Sequence, residues 1–201
     1  MNNADAVREA ILGGVDCCGE NRVQELTAKL AQNAYAGAPV HFIGHLQTNK
    51  VKQVVGKVDM IQSVDSLRLL TAINAEAARQ GIIQDILLEV NIGDEESKSG
   101  FTAAQIPEVV KNFADFPNVR LRGLMAIPPI SEKPGANDKF FQEMYNLSVD
   151  ITAKKSDNVF VDTLSMGMSD DYRDAIRCGS TMIRVGTAIF GHRNYTKPHQ
   201  K

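Results

Sequence analysis

The stretch TLSMGMSDDYRDAIRCGSTMIRVGTAIFG, residues 163–191, decides the fold of this chain. Two apolar runs of strand length, 163–168 and 182–190, flank a helical segment at 170–177 that ends before Gly179. A strand, a helix and a second strand in this order predict that the two strands are parallel.

Small and hydroxyl-bearing residues lie at the ends of both predicted strands. They are Ser165, Gly167, Ser169, Gly186 and Thr187. Hydroxyls and backbone N–H groups at helix starts bind phosphate well, although the same residue types also cap helices and form tight turns. Two such sites separated by one helix, with Arg184 between them, favour an anion pocket over simple capping.

Short apolar runs alternate with helical patterns along the rest of the chain. Strands are predicted at 15–18, 40–44, 60–64, 86–91, 119–126, 163–168 and 182–190, and helices at 5–12, 21–33, 49–55, 66–80, 102–116, 138–154 and 170–177. This alternation predicts an α/β fold with a parallel sheet, either open and doubly wound or closed into a barrel. An early glycine-rich dinucleotide turn is missing, while polar residues follow nearly every strand. We therefore predict a TIM-type (β/α)8 barrel with its first strand missing and about seven strands present.

The bulk composition is that of one globular unit. The chain has 201 residues, enough for a sizeable core, and no linker or low-complexity segment divides it, so residues 1–201 are expected to form a single domain. Lys and Arg number 22 against 24 Asp and Glu, a net charge of -2. This balance favours neither nucleic acid nor an anionic membrane as a partner.

The cysteines and the N-terminus suggest a compartment. The chain contains three cysteines, Cys17, Cys18 and Cys178, and no apolar run long enough to cross a bilayer. The cysteines form no ligand-spaced cluster, so neither a disulfide framework nor a metal site is predicted. The first residues are polar, unlike those of a signal peptide. A reducing, cytoplasmic setting is the expectation.

Eight runs carry a resemblance to a known family. They are GENRVQEL (19–26), HFIGHLQTNK (41–50), SVDS (63–66), LLEVNI (87–92), ESKSGF (96–101), GLM (123–125), LSMGMSDDY (164–172) and GSTMIRVGTAIFG (179–191). The chain resembles, over essentially its whole length, the YggS/PROSC family of pyridoxal-phosphate-binding homeostasis proteins, which are similar to the N-terminal barrel domain of alanine racemase. The resemblance implies a cytoplasmic protein that holds pyridoxal 5′-phosphate at the mouth of the barrel. It also implies a role in vitamin B6 and amino-acid balance, with no secure catalytic reaction.

Three polar residues outside the phosphate cluster each have two open roles. Arg184 either faces the ring nitrogen of the cofactor, which it would keep unprotonated because an arginine cannot accept a proton, or is a structural ion-pair partner. Asn21 either bonds the 3′-oxygen or ring substituents of the cofactor or caps the next helix. His45 either stacks near the pyridine ring or is an ordinary packed polar residue.

Cofactor attachment is where the sequence departs from the family. The resemblance implies a Schiff base with a lysine at the end of the first barrel strand, a position ahead of Met1, so the chain is expected to be N-terminally truncated. Lys50 and Lys98 follow predicted strands, but a solvated loop or a helix start explains both more simply. Binding of pyridoxal phosphate is therefore expected to be weak and non-covalent.

Three hypotheses follow for the function. The leading one is a non-catalytic carrier or regulator of pyridoxal phosphate, monomeric or weakly homo-oligomeric. The alternative is a racemase-like enzyme, which needs a second acid or base, usually a tyrosine; the chain has Tyr35, Tyr145, Tyr172 and Tyr195. Tyr172 is the nearest in sequence to the predicted site, but packing explains it equally well. In the third, the chain lacks a strand, folds poorly and has no function by itself.

Overall fold

Seven parallel strands form one sheet in a computed structural model that describes residues 3–95, 98–129, 131, 133–152 and 157–191. The strands follow one another in sequence order, and every neighbouring pair is parallel. They are β1 (Cys18–Glu20), β2 (Val40–Phe42), β3 (Met60–Val64), β4 (Gln84–Val90), β5 (Val119–Ala126), β6 (Val159–Met168) and β7 (Met182–Arg184).

Helices connect the strands and cover the outside of the sheet. They are α1 (Ala4–Leu12), α2 (Val23–Ala31), α3 (Leu67–Gln80), α4 (Ile106–Lys111), α5 (Asp138–Thr152), α6 (Tyr172–Arg177) and α7 (Thr187–Phe190), with two 3-10 helices, Thr48–Gln53 and Phe113–Asp115. Ser66 caps α3, because its hydroxyl accepts the N–H of Leu69 at 3.3 Å. At its other end Gly81 has φ +67°, a left-handed conformation that suits glycine.

The strands separate an outer apolar core from a smaller inner one. Ile86 and Leu88 on β4 belong to the large cluster shared with the helices, whereas Leu87 packs with Met60 and Met125. Successive residues of a strand point to opposite faces, so the second cluster fills the inside of the curved sheet. The predicted parallel barrel with helices outside is confirmed.

The barrel has a break between its first and last strands. β1 and β7 are the two ends of the strand order, and no pairing joins them within the described residues. The predicted count of about seven strands and the predicted gap are therefore confirmed, and the open doubly wound sheet is excluded.

Several predicted boundaries differ from the structure, and the four largest differences have local reasons. The strand expected at 182–190 ends at Arg184, and the chain turns at Gly186 into α7, where the N–H of Phe190 donates to the carbonyl of Gly186. The strand expected at 15–18 begins only at Cys18, whose N–H donates to the carbonyl of Pro39.

The other two differences lie outside the site. The helix expected at 102–116 is divided into α4 and a 3-10 helix, and β6 begins earlier than the predicted 163–168. The last part of the helix expected at 138–154 falls outside the described residues; α5 is described up to Thr152.

Partly exposed ion pairs lie toward the amino-terminal ends of β4 and β5. Arg120 Nε lies 2.6 Å from Asp85 Oδ1, and Arg122 Nη1 lies 2.8 Å from Asp85 Oδ2. Arg122 also pairs with Asp162 on β6. These contacts join β4, β5 and β6 at one end of the barrel. The opposite, carboxyl-terminal end takes no part in them and can hold a ligand site.

We expect Gly123→Ala to destabilise the protein by about 2–4 kcal/mol, from a strained φ and a steric clash together. Gly123 has φ +145°, and an added Cβ would lie 1.8 Å from the carbonyl oxygen of Thr163. Urea unfolding measures the loss. Gly37→Ala is the matched control, since Gly37 also has a positive φ, +87°, but no atom within 4 Å of the added Cβ. Equal losses in the two variants would contradict the clash.

Candidate functional site

A cavity of about 620 Å³ lies at the break in the barrel, and we call it the first cavity. On one side it is lined by Cys17, Cys18, Gly19, Glu20 and Asn21, and on the other by Ser169, Met182, Ile183, Arg184, Gly186 and Thr187. Helices α1, α2 and α7 contribute further lining residues. Its size suits a small-molecule ligand.

The chain after β6 and the chain after β7 meet at Ser169. The Ser169 hydroxyl accepts the N–H groups of Gly186 at 3.3 Å and Ala188 at 3.4 Å. Gly186 caps α7, and Thr187 is its first residue. Three of the residues predicted for phosphate binding therefore share one wall of the first cavity, which they reach from two different strands.

Ser165 and Gly167 have other surroundings. Ser165 is fully buried inside the barrel and is not part of the cavity lining. Gly167 has φ +90°, and a Cβ there would lie 2.6 Å from the Cβ of Ala175, so this glycine lets α6 pack against β6. Direct cofactor contact remains an untested prediction for both residues.

A chain of buried hydrogen bonds crosses the barrel interior and ends at Arg184. Arg184 Nη1 donates to Ser165 Oγ at 2.7 Å, and Ser165 Oγ donates to Gln62 Oε1 at 2.7 Å. Gln62 Nε2 lies 2.8 Å from His41 Nδ1. Because the amide nitrogen only donates, Nδ1 of His41 accepts, which leaves the imidazole neutral with its proton on Nε2. Burial lowers the pKa of His41, which fits this state.

Arg184 has no carboxylate partner at ion-pair distance within the described residues. Its second bond, from Nη2 to the carbonyl of Ala126 at 2.9 Å, is also to a neutral group. Burial lowers the pKa of Arg184 to about 10, against the opposing effect of the Glu89 and Asp171 charges. An ion-pair role for Arg184 finds no support here, and the guanidinium keeps donors for a ligand.

Glu89 on β4 is the acidic group that interacts most with Arg184. Burial raises the pKa of Glu89 to about 7, the charge of Asp65 raises it further, and Arg184 opposes them. The Glu89 carboxyl therefore changes protonation near neutral pH.

Asn21 lines the first cavity, whereas His45 does not. The residue that caps α2 is Arg22, so the capping role considered for Asn21 is wrong. The side chain of His45 lies in a second cavity, where its Nδ1 is 3.1 Å from Asp65 Oδ2. The structure does not bring His45 together with the other predicted site residues, and its stacking role remains untested.

Sequence reasoning missed His41, Gln62 and the buried pair of Lys29 and Glu20. Of these residues, Gln62 could have been predicted from the sequence. A glutamine in the middle of the apolar run MIQSV (60–64) needs a buried polar partner. Lys29 and Glu20 give no such signal, since charged residues on an amphipathic helix and after a strand usually face water.

Comparisons with known proteins place this arrangement in a family. The model of the alanine racemase N-terminal domain matches residues 2–194. The pyridoxal phosphate homeostasis protein of Aquifex aeolicus is 40% identical over 191 residues, which cover 95% of this chain and 83% of that protein. The protein of the same name in Escherichia coli K12 is 41% identical over 198 residues, with 96% and 83% covered.

The chain belongs to the pyridoxal phosphate homeostasis protein family, within the alanine racemase N-terminal domain family.

Solved structures agree with this assignment. PipY of Synechococcus elongatus, solved without pyridoxal phosphate, is 32% identical with a TM-score of 0.87, and 94% of this chain and 88% of PipY are covered. The structure of PipY with pyridoxal phosphate bound gives a TM-score of 0.84 at 31% identity, with the same coverage. An alanine racemase of Clostridium difficile is 14% identical with a TM-score of 0.68 over 96% of this chain and 49% of the racemase, a likeness of fold alone.

For a member of the pyridoxal phosphate homeostasis family, the position of each lysine matters. Lys29 lines the first cavity, but its Nζ lies 2.5 Å from Glu20 Oε1, which also accepts the Tyr35 hydroxyl at 3.1 Å. Lys98 Nζ lies 2.5 Å from Glu95 Oε1. Lys50 is in the 3-10 helix Thr48–Gln53, and neither Lys50 nor Lys98 lines the first cavity.

Two other site types find no support in the described part of the chain. No group of three or more His, Cys, Asp or Glu residues there could hold a metal ion, and the three cysteines are free. No helix there combines the length and the apolar character that crossing a membrane requires.

We expect Glu89→Gln to increase stability at pH 8 more than at pH 5. The folded-state pKa of Glu89 is raised to about 7, so the folded protein loses stability as the pH rises from the unfolded pKa through that value. The stability difference between variant and parent should therefore grow by about 1–3 kcal/mol across this window. Urea unfolding at the two pH values measures it, with the exposed Glu108→Gln as control. A difference that does not change with pH would contradict the assignment.

Proposed function

We propose that this chain binds pyridoxal 5′-phosphate in the first cavity and acts as a non-catalytic carrier in vitamin B6 and amino-acid homeostasis. The observation that carries the proposal is the meeting of Ser169, Gly186 and Thr187 around one cavity with Arg184, which has no ion-pair partner among the described residues. The bound cofactor in the structure of the related PipY supports the choice of ligand.

The wall formed by Ser169 and α7 fits a phosphate group. The Ser169 hydroxyl accepts two N–H groups, so its own hydrogen remains available for a phosphate oxygen. Thr187 adds a second hydroxyl beside it. The N–H groups of Gly186 and Ala188 already donate to Ser169 Oγ, so the two hydroxyls are the donors that this wall offers to a phosphate. A Cβ at Gly186 would meet no atom within 4 Å, so this wall leaves room for the group.

Arg184 suits the ring of the cofactor. A guanidinium donates hydrogen bonds and cannot accept one, so a pyridine nitrogen facing it stays unprotonated. Bound pyridoxal phosphate supplies an electron-accepting ring, and an unprotonated ring accepts electrons poorly, which favours carriage over carbanion chemistry. The guanidinium donates hydrogen bonds to Ser165 Oγ and to the carbonyl of Ala126, and these two bonds fix its position.

The tyrosines support a carrier over a racemase-like enzyme. Tyr35, Tyr145 and Tyr172 do not line the first cavity. The Tyr35 hydroxyl donates to Glu20, and that of Tyr172 accepts from Arg173 Nε at 3.2 Å. Tyr195 lies outside the described residues. A second acid or base of the kind a racemase needs is thus not supplied by these three.

The remaining parts of the proposal rest on composition and on the cavity walls. We infer that residues 1–201 act as one binding unit, because the lining comes from both ends of the chain. The net charge of -2 supports a protein without a nucleic-acid partner. A cytoplasmic location and a monomer or weak homo-oligomer complete the proposal.

Pyridoxal phosphate should leave this chain on desalting. With the Lys29 amine held by Glu20, binding rests on hydrogen bonds, each worth about 1.5–3 kcal/mol when charge-assisted, against the entropy of ordering the ligand. The measurement is a visible spectrum before and after desalting, followed by borohydride reduction and peptide mapping. We expect no adduct. A stable adduct on Lys29, Lys50 or Lys98 would show that the chain recruits its own lysine.

Thr187→Leu should weaken pyridoxal phosphate binding by about tenfold or more, since it removes one charge-assisted hydrogen bond and places an apolar chain against the phosphate. A titration followed by fluorescence measures the affinity. Thr27→Leu on the exposed face of α2 is the matched control and should bind as the parent does. Equal affinities of the parent and Thr187→Leu would contradict the assignment of the phosphate to the wall formed by Ser169 and α7.

A further inference from the structure

The second cavity has a volume of about 590 Å³ and no lining residue in common with the first. Its lining includes His45, Leu46, Asp65, Arg68, Leu69 and Gly100. These residues follow β2, β3 and β4, so the cavity lies at the carboxyl-terminal face of the barrel, where barrel proteins place their ligands.

Parts of three of the eight sequence runs meet in the second cavity, namely 41–50, 63–66 and 96–101. The proposed cofactor site gives no role to the parts of these runs that line it. Their convergence from separate loops indicates that the second cavity has a use of its own.

The negative end of the second cavity is Asp65. Its side chain is 11% exposed, and it is held by His45 Nδ1 at 3.1 Å from Oδ2 and by the Ser66 hydroxyl at 2.9 Å from Oδ1. A carboxylate has about four lone-pair positions, so Asp65 can accept further donors in the orientation that these two bonds fix.

The positive end is Arg68, in the first turn of α3. The side chain is exposed and forms no ion pair or hydrogen bond with any described residue. A carboxylate beside it would also lie at the end of the helix that favours negative charge. The buried side chains of Leu46 and Leu69 complete the lining with apolar surface.

This charge pattern selects the class of ligand. A simple anion would meet the carboxylate of Asp65, and a simple cation would meet Arg68, so each is repelled at one end. A small zwitterion satisfies both ends at once. We propose that the second cavity binds a free α-amino acid with an apolar side chain, its ammonium group at Asp65, its carboxylate at Arg68 and its side chain toward Leu46 and Leu69.

The test compares three ligands that differ by one charged group. L-Valine carries both charges, isobutylamine lacks the carboxylate, and isovalerate lacks the ammonium group. Titration calorimetry with the full chain, freed of pyridoxal phosphate, should show saturable binding of valine at least fivefold tighter than either analogue. Because no cofactor is present, this outcome is independent of the function proposed for the first cavity.

Variants assign the binding to the second cavity. Asp65→Asn, which keeps the size of the side chain, and Arg68→Gln should each weaken valine binding at least fivefold, while Arg68→Lys should recover most of it. Arg173→Gln, at an exposed arginine outside the second cavity, is the control and should leave binding unchanged. Circular dichroism confirms that each variant is folded. Three results would each overturn the proposal: no valine binding at about 10 mM, equal affinity for isovalerate and valine, or parent-like affinity of Arg68→Gln for valine.

Discussion

The parallel pairing of β6 with β7 is the constraint on which the candidate site depends. In this pair Ser165 lies opposite Met182, and Met168 lies opposite Arg184. Parallel neighbours end at the same face of a sheet, so the residues that follow them are brought together without any long-range contact of their own. The bonds from α7 to Ser169 are a consequence of this register. The rest of the barrel supplies the opposite wall through β1 and α2.

Polar groups inside the barrel make it possible to bury the charged side chain of Arg184. Burying a charged group without partners is costly, and the structure meets that cost with neutral hydrogen-bond acceptors. Gln62 is the pivot, because it bonds Ser165 on one side and His41 on the other. Since Ser165 and Gln62 face inward from β6 and β3, one hydrogen-bond chain links strands that are not neighbours in the sheet. These hydrogen bonds fix the orientation of the guanidinium beside the first cavity.

Much of the fold could be predicted because strand periodicity and helix spacing are local signals. The parallel sheet followed from the order of elements, the barrel from the polar residues after nearly every strand, and the break from the count of seven strands. The meeting of Ser169, Gly186 and Thr187 followed from the parallel arrangement of the last two strands. The end of β7 could not be predicted, because residues 182–190 are apolar in a way that suits a strand or a buried helix equally. The surroundings of Ser165 depend on which face of β6 it occupies, and a shift of one residue reverses that face. His45 lies beyond the end of β2, where no strand periodicity sets the direction of its side chain. Neither residue carries a local signal that settles this.

The break in the barrel also sets where the molecule is weakest. β4 and β5 have seven and eight residues and a neighbouring strand on each side. β1 and β7 have three residues each and, within the part of the chain that the structure describes, one neighbouring strand. Local opening is easiest where few hydrogen bonds and little buried surface oppose it, so the walls of the first cavity belong to the elements that open first. A ligand that contacts both walls of the first cavity holds the least stable part of the chain closed. Its binding raises the free energy of local opening by mass action. Proteases cleave opened chains, so the lifetime of the protein would then increase with the concentration of free ligand.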